Sequence, residues 1–207
     1  ATRDGVDCYS AAEVYGNGSA VEIETNIFLY GLIRRYKPRL VLETGTHWGF
    51  SAAWIALALQ DNRRDYPEMD GHLITIDSNA YEGRAATLWQ KLGLTNITHL
   101  IGNSEDMDTL KNASLPQLSY RGIDFLWLDA DHSAEAVWSE YQSVFRFLTR
   151  KLIIGFHDSR LDKRMDMGIK KILVDLQSYQ EKGWWEHISH VPMRNLRGMD
   201  LIFCYGE

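Results

Sequence analysis

Residues 39–60 read RLVLETGTHWGFSAAWIALALQ, and this stretch decides the fold. Arg39 to Glu43 is a short run rich in branched aliphatic residues, the pattern of a strand buried on both faces. A turn containing glycine follows. From Phe50 to Gln60 small and apolar residues continue as a helix whose start Ser51 marks. Strand, tight turn and helix together make the first part of a βαβ unit. Gly45 permits a positive φ and lets a ligand approach the backbone closely. Gly49 lets the following helix pack closely on the strand, and the amides at that helix start can face a polar or anionic group.

The same alternation extends in both directions. Upstream, Val21 to Tyr36 carries Ile23, Ile27, Leu29, Tyr30 and Ile33 at helical spacing and stops before Lys37-Pro38. Downstream, the charged stretch from Asp61 to Gly71 reads as a loop. His72 to Asp77 then reads as a strand, Tyr81 to Leu92 as a helix closed by Gly93, and Ile97 to Ile101 as a strand. Ile123 to Asp129 is a strongly apolar strand, Ala134 to Leu148 a helix, Leu152 to Phe156 a strand and Met167 to Tyr179 a helix. Two strands, His187 to Val191 and Asp200 to Tyr205, end the chain with no room for a helix between them. Apolar strands alternating with amphipathic helices predict an α/β, Rossmann-like fold: a mostly parallel seven-stranded sheet, helices on both faces, and an antiparallel C-terminal strand. Without repeats or a linker, residues 1–207 read as one domain, with a helical segment at 1–38 ahead of an α/β core at 39–207.

Composition narrows the class. The chain has 207 residues, 45% of them hydrophobic, and a net charge of -6, which offers no clustered basic surface for nucleic acid. The longest apolar run, Phe50 to Leu59, is too short to cross a bilayer. The polar stretch Ala1 to Ser10 lacks the apolar core of a signal peptide, so the expectation is a cytoplasmic protein with no membrane partner. Cys8 and Cys204 are then expected to be reduced thiols. A homo-oligomer stays open.

In an open parallel sheet, ligands bind beyond the carboxyl ends of the strands. Those ends carry Glu43, Asp77, Asn103, Asp129 and the pair His157-Asp158. An acid such as Asp77 at the end of the second strand can accept both hydroxyl hydrogens of a ribose. The glycines are spaced GxxxG, not the GxGxxG that lets a pyrophosphate approach. A nicotinamide-dependent oxidoreductase is therefore a distant alternative.

Glu43-Thr44-Gly45-Thr46-His47-Trp48-Gly49 resembles motif I, E/D-x-G-x-x-x-G, of the class I S-adenosylmethionine (SAM)-dependent methyltransferases. The resemblance implies a SAM site built from Glu43, Thr44, Gly45, Thr46 and Gly49, with Glu43 near the cofactor's cationic amino-acid portion. Asp77 and Ser78 resemble the ribose-binding position, and Gly102-Asn103-Ser104 the adenine-side turn, where the family more often has Gly-Asp. Asp129 borders the same site.

IDFLWLDADHS at 123–133 and LIIGFHDS at 152–159 should lie side by side at the ends of the fourth and fifth strands. They supply oxygen and nitrogen donors suited to Mg²⁺ or a similar divalent ion. This portion resembles the metal-dependent small-molecule O-methyltransferases of the catechol, caffeoyl-CoA and macrolide-sugar types. By that resemblance Asp129, His157 and Asp158 hold the metal, and His132, three residues past Asp129, is the catalytic base. The family's pair is usually Asp-Asn or Glu-Asp, so His157 departs from it. The function implied is methyl transfer from SAM to a small-molecule hydroxyl, a sugar or polyhydroxylated natural product first. A metal-independent methyltransferase and a methyltransferase-like protein without transfer activity are the alternatives.

Overall fold

Alternate residues of the central strands face opposite sides of one sheet, and each side is covered by its own helices. The computed structural model describes residues 2–3, 6–7, 21–106, 122–160, 163–193 and 197–207. Thr2–Arg3 (β1) and Val6–Asp7 (β2) form a short antiparallel ladder. The main elements follow: α1 Ile23–Tyr36, β3 Leu40–Thr44, α2 Phe50–Asp65, β4 His72–Asp77, α3 Arg84–Lys91 and β5 Ile97–Ile101. After these come β6 Ile123–Leu128, α4 Ala134–Val144, β7 Leu148–His157, α5 Lys163–Glu181, β8 His187–Met193 and β9 Met199–Tyr205.

The seven-stranded sheet has the order β5-β4-β3-β6-β7-β9-β8. Strands β3 to β7 are parallel, and β9 runs antiparallel to both β7 and β8. This is the predicted mostly parallel sheet with antiparallel strands at one edge. The chain moves outward from β3 to β4 and β5, then returns to place β6 on the other side of β3. The boundary between β3 and β6 is thus the topological switch point, where a crevice opens at the strand carboxyl ends.

Leu40, Leu42, Ile74, Ile76, Leu126 and Ile154 pack with Val137 and Tyr141 of α4 and Ile169 and Ile172 of α5. Val41, Leu73, Phe125 and Trp127 pack on the opposite face with Leu29 and Ile33 of α1, Ile55 and Leu59 of α2, and Trp89 of α3. The period of two along each strand assigns residues to faces. Trp127 and Trp185 are fully buried, so these tryptophans serve the core. Cys204 is buried in β9, and its burial raises the thiol pKa to about 12; Cys8 lies outside the described residues.

Several boundaries differ from the sequence expectation. Helix α2 continues to Asp65 instead of stopping at Gln60. Its last turns are held by polar contacts, which apolar periodicity does not record. Tyr30 donates to Asp61 Oδ2 at 2.7 Å, Asn62 Nδ2 donates to the Ile33 carbonyl at 3.0 Å, and Arg34 pairs with Asp65. The helix start is capped by Gly49 at φ 79, not by Ser51, whose hydroxyl turns inward instead. Helix α4 ends at Val144, and a 3-10 turn at Phe145–Phe147 lets β7 begin at Leu148.

No helix among the described residues is long and apolar enough to cross a membrane.

Candidate active site

The turn after β3 is shaped by what a side chain at position 45 would strike. Gly45 has φ 84, and a Cβ there would lie 2.1 Å from the Asp129 carbonyl oxygen. Its amide donates to the Ile76 carbonyl at 2.9 Å, and the Asp129 amide donates to the Thr44 carbonyl at 3.1 Å. The ends of β4, β3 and β6 are thereby tied through one turn.

A cavity of about 630 Å³ opens above these ends, within the usual range for a small-molecule site. Gly45, Thr46, Asp77, Ser78, Asn103, Ser104 and Asp129 line it, as do His132, His157 and Asp158. The sequence-predicted residues thus converge on one crevice, with three exceptions that stand behind its wall. Glu43 is fully buried, accepting from Ser51 Oγ at 2.5 Å and from Thr75 Oγ1 at 2.6 Å. Burial raises its carboxyl pKa to about 8 despite those hydrogen bonds. Ser51, which does line the cavity, lies between Glu43 and any ligand. Thr44 braces Asp129. Gly49 fits against α3, not its own strand: a Cβ would meet the Trp89 ring at 2.8 Å, and Trp89 Nε1 donates to the Gly49 carbonyl at 2.9 Å.

Asp77 ends β4 with one backbone amide on each carboxylate oxygen. His47 N donates to Oδ2 at 2.8 Å and Asn79 N to Oδ1 at 2.9 Å. A carboxylate has about four acceptor positions, so two amides fix its plane and leave capacity for a ligand. His47 lines the cavity, stacked on Trp48 with ring centroids 4.9 Å apart. Its burial lowers the imidazole pKa. Asn103 orders the turn after β5 by accepting from Glu105 N at 3.0 Å.

At the other end of the crevice, His157 closes β7 with both ring nitrogens facing carboxylates. Nδ1 lies 2.9 Å from Asp129 Oδ1, and Nε2 lies 2.7 Å from Glu22 Oε2. Burial opposes its charge, but Asp129, Glu22 and Asp158 outweigh that and raise its pKa to about 10. His157 is therefore an imidazolium at neutral pH. Asp158, at φ 59, adopts a left-handed conformation that Asp tolerates better than most residues. Arg197 Nη2 donates to its Oδ2 at 2.6 Å, and His132 Nε2 lies 3.4 Å from the same oxygen. Asp131 accepts from the Ser133 amide at 2.7 Å, which lowers its pKa, while Ser133 caps α4.

Among the described residues, two groups of three donors have the spacing to hold a metal ion: Asp129, His132 and Asp158, and Glu22, His157 and Asp158. In the second, Glu22 and His157 already form a hydrogen bond. In the first, Asp158 Oδ1 lies 3.3 Å from His157 Nδ1, and His132 Nδ1 is buried without a hydrogen-bond partner. The carboxylates of Asp129 and Asp158 fit a divalent ion, with His132 beside it and His157 outside it.

Glu22, Arg197 and Glu140 also line the site or close it, and the sequence reading missed all three. Glu22 and Arg197 come from segments flanking the sheet, and nothing local marks them. Glu140 had a signal: it lies on the buried stripe Ala136, Val137, Glu140, Tyr141, Val144 of α4, where a charged residue requires a reason.

A family model described as a methyltransferase domain matches residues 42–159, more than half of the chain. No curated protein matches it. Among solved structures, the chain is similar to the O-methyltransferase TomG from Streptomyces achromogenes in complex with SAM. Identity is 18%, the match covers 96% of this chain and 88% of that one, and the TM-score is 0.72. An O-methyltransferase from Bacillus cereus in complex with SAH is 16% identical, with 97% and 92% covered and a TM-score of 0.72. Cofactor-bound Rv0187 from MTB is 21% identical, with 100% and 94% covered and a TM-score of 0.68. With strand ends, glycine turn and crevice placed as described, the chain belongs to the methyltransferase-domain family and has its Rossmann-like fold.

Proposed function

We propose that this protein transfers a methyl group from SAM to a hydroxyl of a small molecule. The observation that carries the reading is the shared crevice. Asp77 and the Gly45–Thr46 turn face the same cavity as Asp129, His132 and Asp158, so a cofactor anchor and a proton acceptor border one space.

SAM supplies an activated methyl on a sulfonium, so the protein's task is to align an oxygen nucleophile with it and remove that oxygen's proton. Asp77 accepts hydrogen bonds from a ribose; Thr46, Ser78, Asn103 and Ser104 border the rest of the cofactor. Glu43 acts one layer back, holding Ser51 and Thr75 and through them the turn. His132 takes the hydroxyl proton. A divalent ion, if held by Asp129 and Asp158 with His132 beside them, would lower the pKa of a hydroxyl bound to it. His157 and Arg197 fix the orientation of Asp129 and Asp158 by charge. Trp48 and Phe50, also on the cavity wall, supply apolar surface for the acceptor.

The test is calorimetric titration of SAM into metal-stripped protein, with and without Mg²⁺, followed by an acceptor screen over sugars and polyhydroxylated aromatics. Micromolar binding with methyl transfer to oxygen supports the reading. Failure of SAM to bind under any condition overturns it. Transfer that is complete in EDTA removes the metal from it.

A further inference from the structure

We infer that Arg197 sets the affinity of this site for a divalent ion: its guanidinium holds the Asp158 oxygen that an ion would take, so an ion binds only by displacing it. The inference rests on the metal part of the reading above and assigns the metal requirement to a residue outside the donor set.

Asp158 is shared before any ion arrives. Arg197 Nη2 donates to its Oδ2 at 2.6 Å, and His157 Nδ1 lies 3.3 Å from its Oδ1. Each oxygen of this carboxylate thus faces a cationic group, and the side chain is 3% exposed. Charge-assisted contacts of this kind are among the stronger hydrogen bonds. An ion at Asp129 and Asp158 would stand next to the guanidinium, and like charges in a buried site repel with little screening. Net charge gives the same answer. Glu22, Asp129 and Asp158 face His157 and Arg197. A divalent ion beside both cations leaves a positive excess, whereas an ion that replaces Arg197 leaves the group neutral.

The fold presents this guanidinium at a fixed place. Arg197 lies in the turn between β8 and β9, and that turn is laced to the residues after Asp158. Arg160 N donates to the Arg197 carbonyl at 3.0 Å, and Ser159 N donates to the Gly198 carbonyl at 3.3 Å. Gly198 permits the approach: it has φ 88, and a Cβ there would lie 2.3 Å from Arg160 Cγ. Ser159 Oγ donates in turn to Asp200 Oδ1 at 2.7 Å, and His190 Nε2 lies 2.6 Å from Asp200 Oδ2. The backbone at 197 is therefore held opposite Asp158, while the side chain, 25% exposed, borders the cavity. It has a second carboxylate to turn to, because its Nε lies 3.8 Å from Glu22 Oε1. One guanidinium between two carboxylates is an arrangement whose balance an ion at Asp158 would shift.

The experiment titrates Mg²⁺ by calorimetry, without SAM, into metal-stripped wild type, Arg197→Met and Arg197→Lys. Arg197→Met keeps much of the bulk and removes the charge, and its Mg²⁺ dissociation constant is expected to fall about tenfold or more below that of the wild type. Arg197→Lys keeps a cation and is expected to stay within about threefold of the wild type. The direction of the change separates this role from a structural one, since a variant that merely loosened the turn would bind the ion more weakly. Unchanged or weaker binding by Arg197→Met overturns the inference, as does a gain in Arg197→Lys as large as that in Arg197→Met. Arginine side-chain ¹H–¹⁵N signals of the wild type, followed as Mg²⁺ is raised, decide the matter if the methionine variant does not fold. One guanidinium signal is expected to shift, and a spectrum unchanged where calorimetry shows the ion bound overturns the inference. No Mg²⁺ binding by any of the three proteins overturns it together with the metal part of the reading. SAM binding in EDTA, measured on the same samples, tests the methyl-transfer reading separately.

Discussion

The space that a side chain on Gly45 would occupy is taken by the Asp129 carbonyl: the missing Cβ would stand 2.1 Å from that oxygen. Two strand ends that carry opposite halves of the site therefore approach each other only because residue 45 has no side chain. Gly45→Ala would have to accommodate both this clash and φ 84. Alanine at positive φ destabilises by more than about 1 kcal/mol before any clash is counted. The expected outcome is a loss of several kcal/mol in urea unfolding. Unchanged stability would show that the turn yields easily and that the close approach is unimportant.

Asp77→Asn keeps the size of the side chain but removes its charge and one of its acceptors. Hydrogen bonds to a charged group contribute about 1.5–3 kcal/mol each, so SAM affinity is expected to fall about 10- to 100-fold in calorimetry. The same carboxylate holds the amides of His47 and Asn79. The thermal midpoint of the unliganded variant must therefore be measured alongside, to separate loss of a ligand contact from loosening of the turn.

The legible part of this site was the set of residues at strand ends. Asp77, Asp129 and the His157-Asp158 pair each follow an apolar run, and a parallel sheet places such residues on one edge. Residues whose partners are remote in sequence were hidden. Glu22 meets His157 and Arg197 meets Asp158 only after the sheet has folded. The extension of α2 beyond Gln60 was hidden for the same reason, since Asp61 and Asn62 are held by α1. Glu43 shows a subtler limit: its position in the motif was readable, but the layer of Ser51 and Thr75 around it was not.

His132→Gln tests the proton acceptor. Positioned general bases contribute about 10²- to 10⁴-fold, and turnover with a hydroxyl acceptor is expected to fall within that range. SAM affinity should stay within about threefold, because the cofactor-facing residues lie along β3, β4 and β5. Equal losses in turnover and SAM affinity would instead mark His132 as part of the cofactor site. Asp158→Asn separates metal from base: if an ion binds there, Mg²⁺ binding is lost in calorimetry while SAM binding in EDTA is retained.

The buried ionisable groups also set the pH dependence of stability, measured in EDTA to exclude metal. Among those shifted upward on folding are Glu140, from 4.5 to about 7, Glu43, from 4.5 to about 8, and His157, from 6.5 to about 10. In each case the folded state binds the proton more tightly, so the stabilisation is complete below the unfolded pKa and disappears as pH rises through the folded one. For the two carboxyl groups the cause is burial, which disfavours the anion; for His157 it is the surrounding carboxylates, which favour the cation. Stability is therefore expected to decline as pH rises from about 4.5, where the two carboxyl groups begin to lose their contribution, to about 10, more gently above pH 8, where only His157 of the three still contributes. Glu43→Gln should flatten the portion below pH 8. His157→Gln should flatten the portion above it, while lowering stability at pH 7 by about 3–5 kcal/mol, because the Asp129 and Glu22 carboxylates lose their buried partner. Urea midpoints across this range decide the point: a wild-type profile that stays level from pH 6 to 9.5 would mean that His157 is not held as the cation between Asp129 and Glu22.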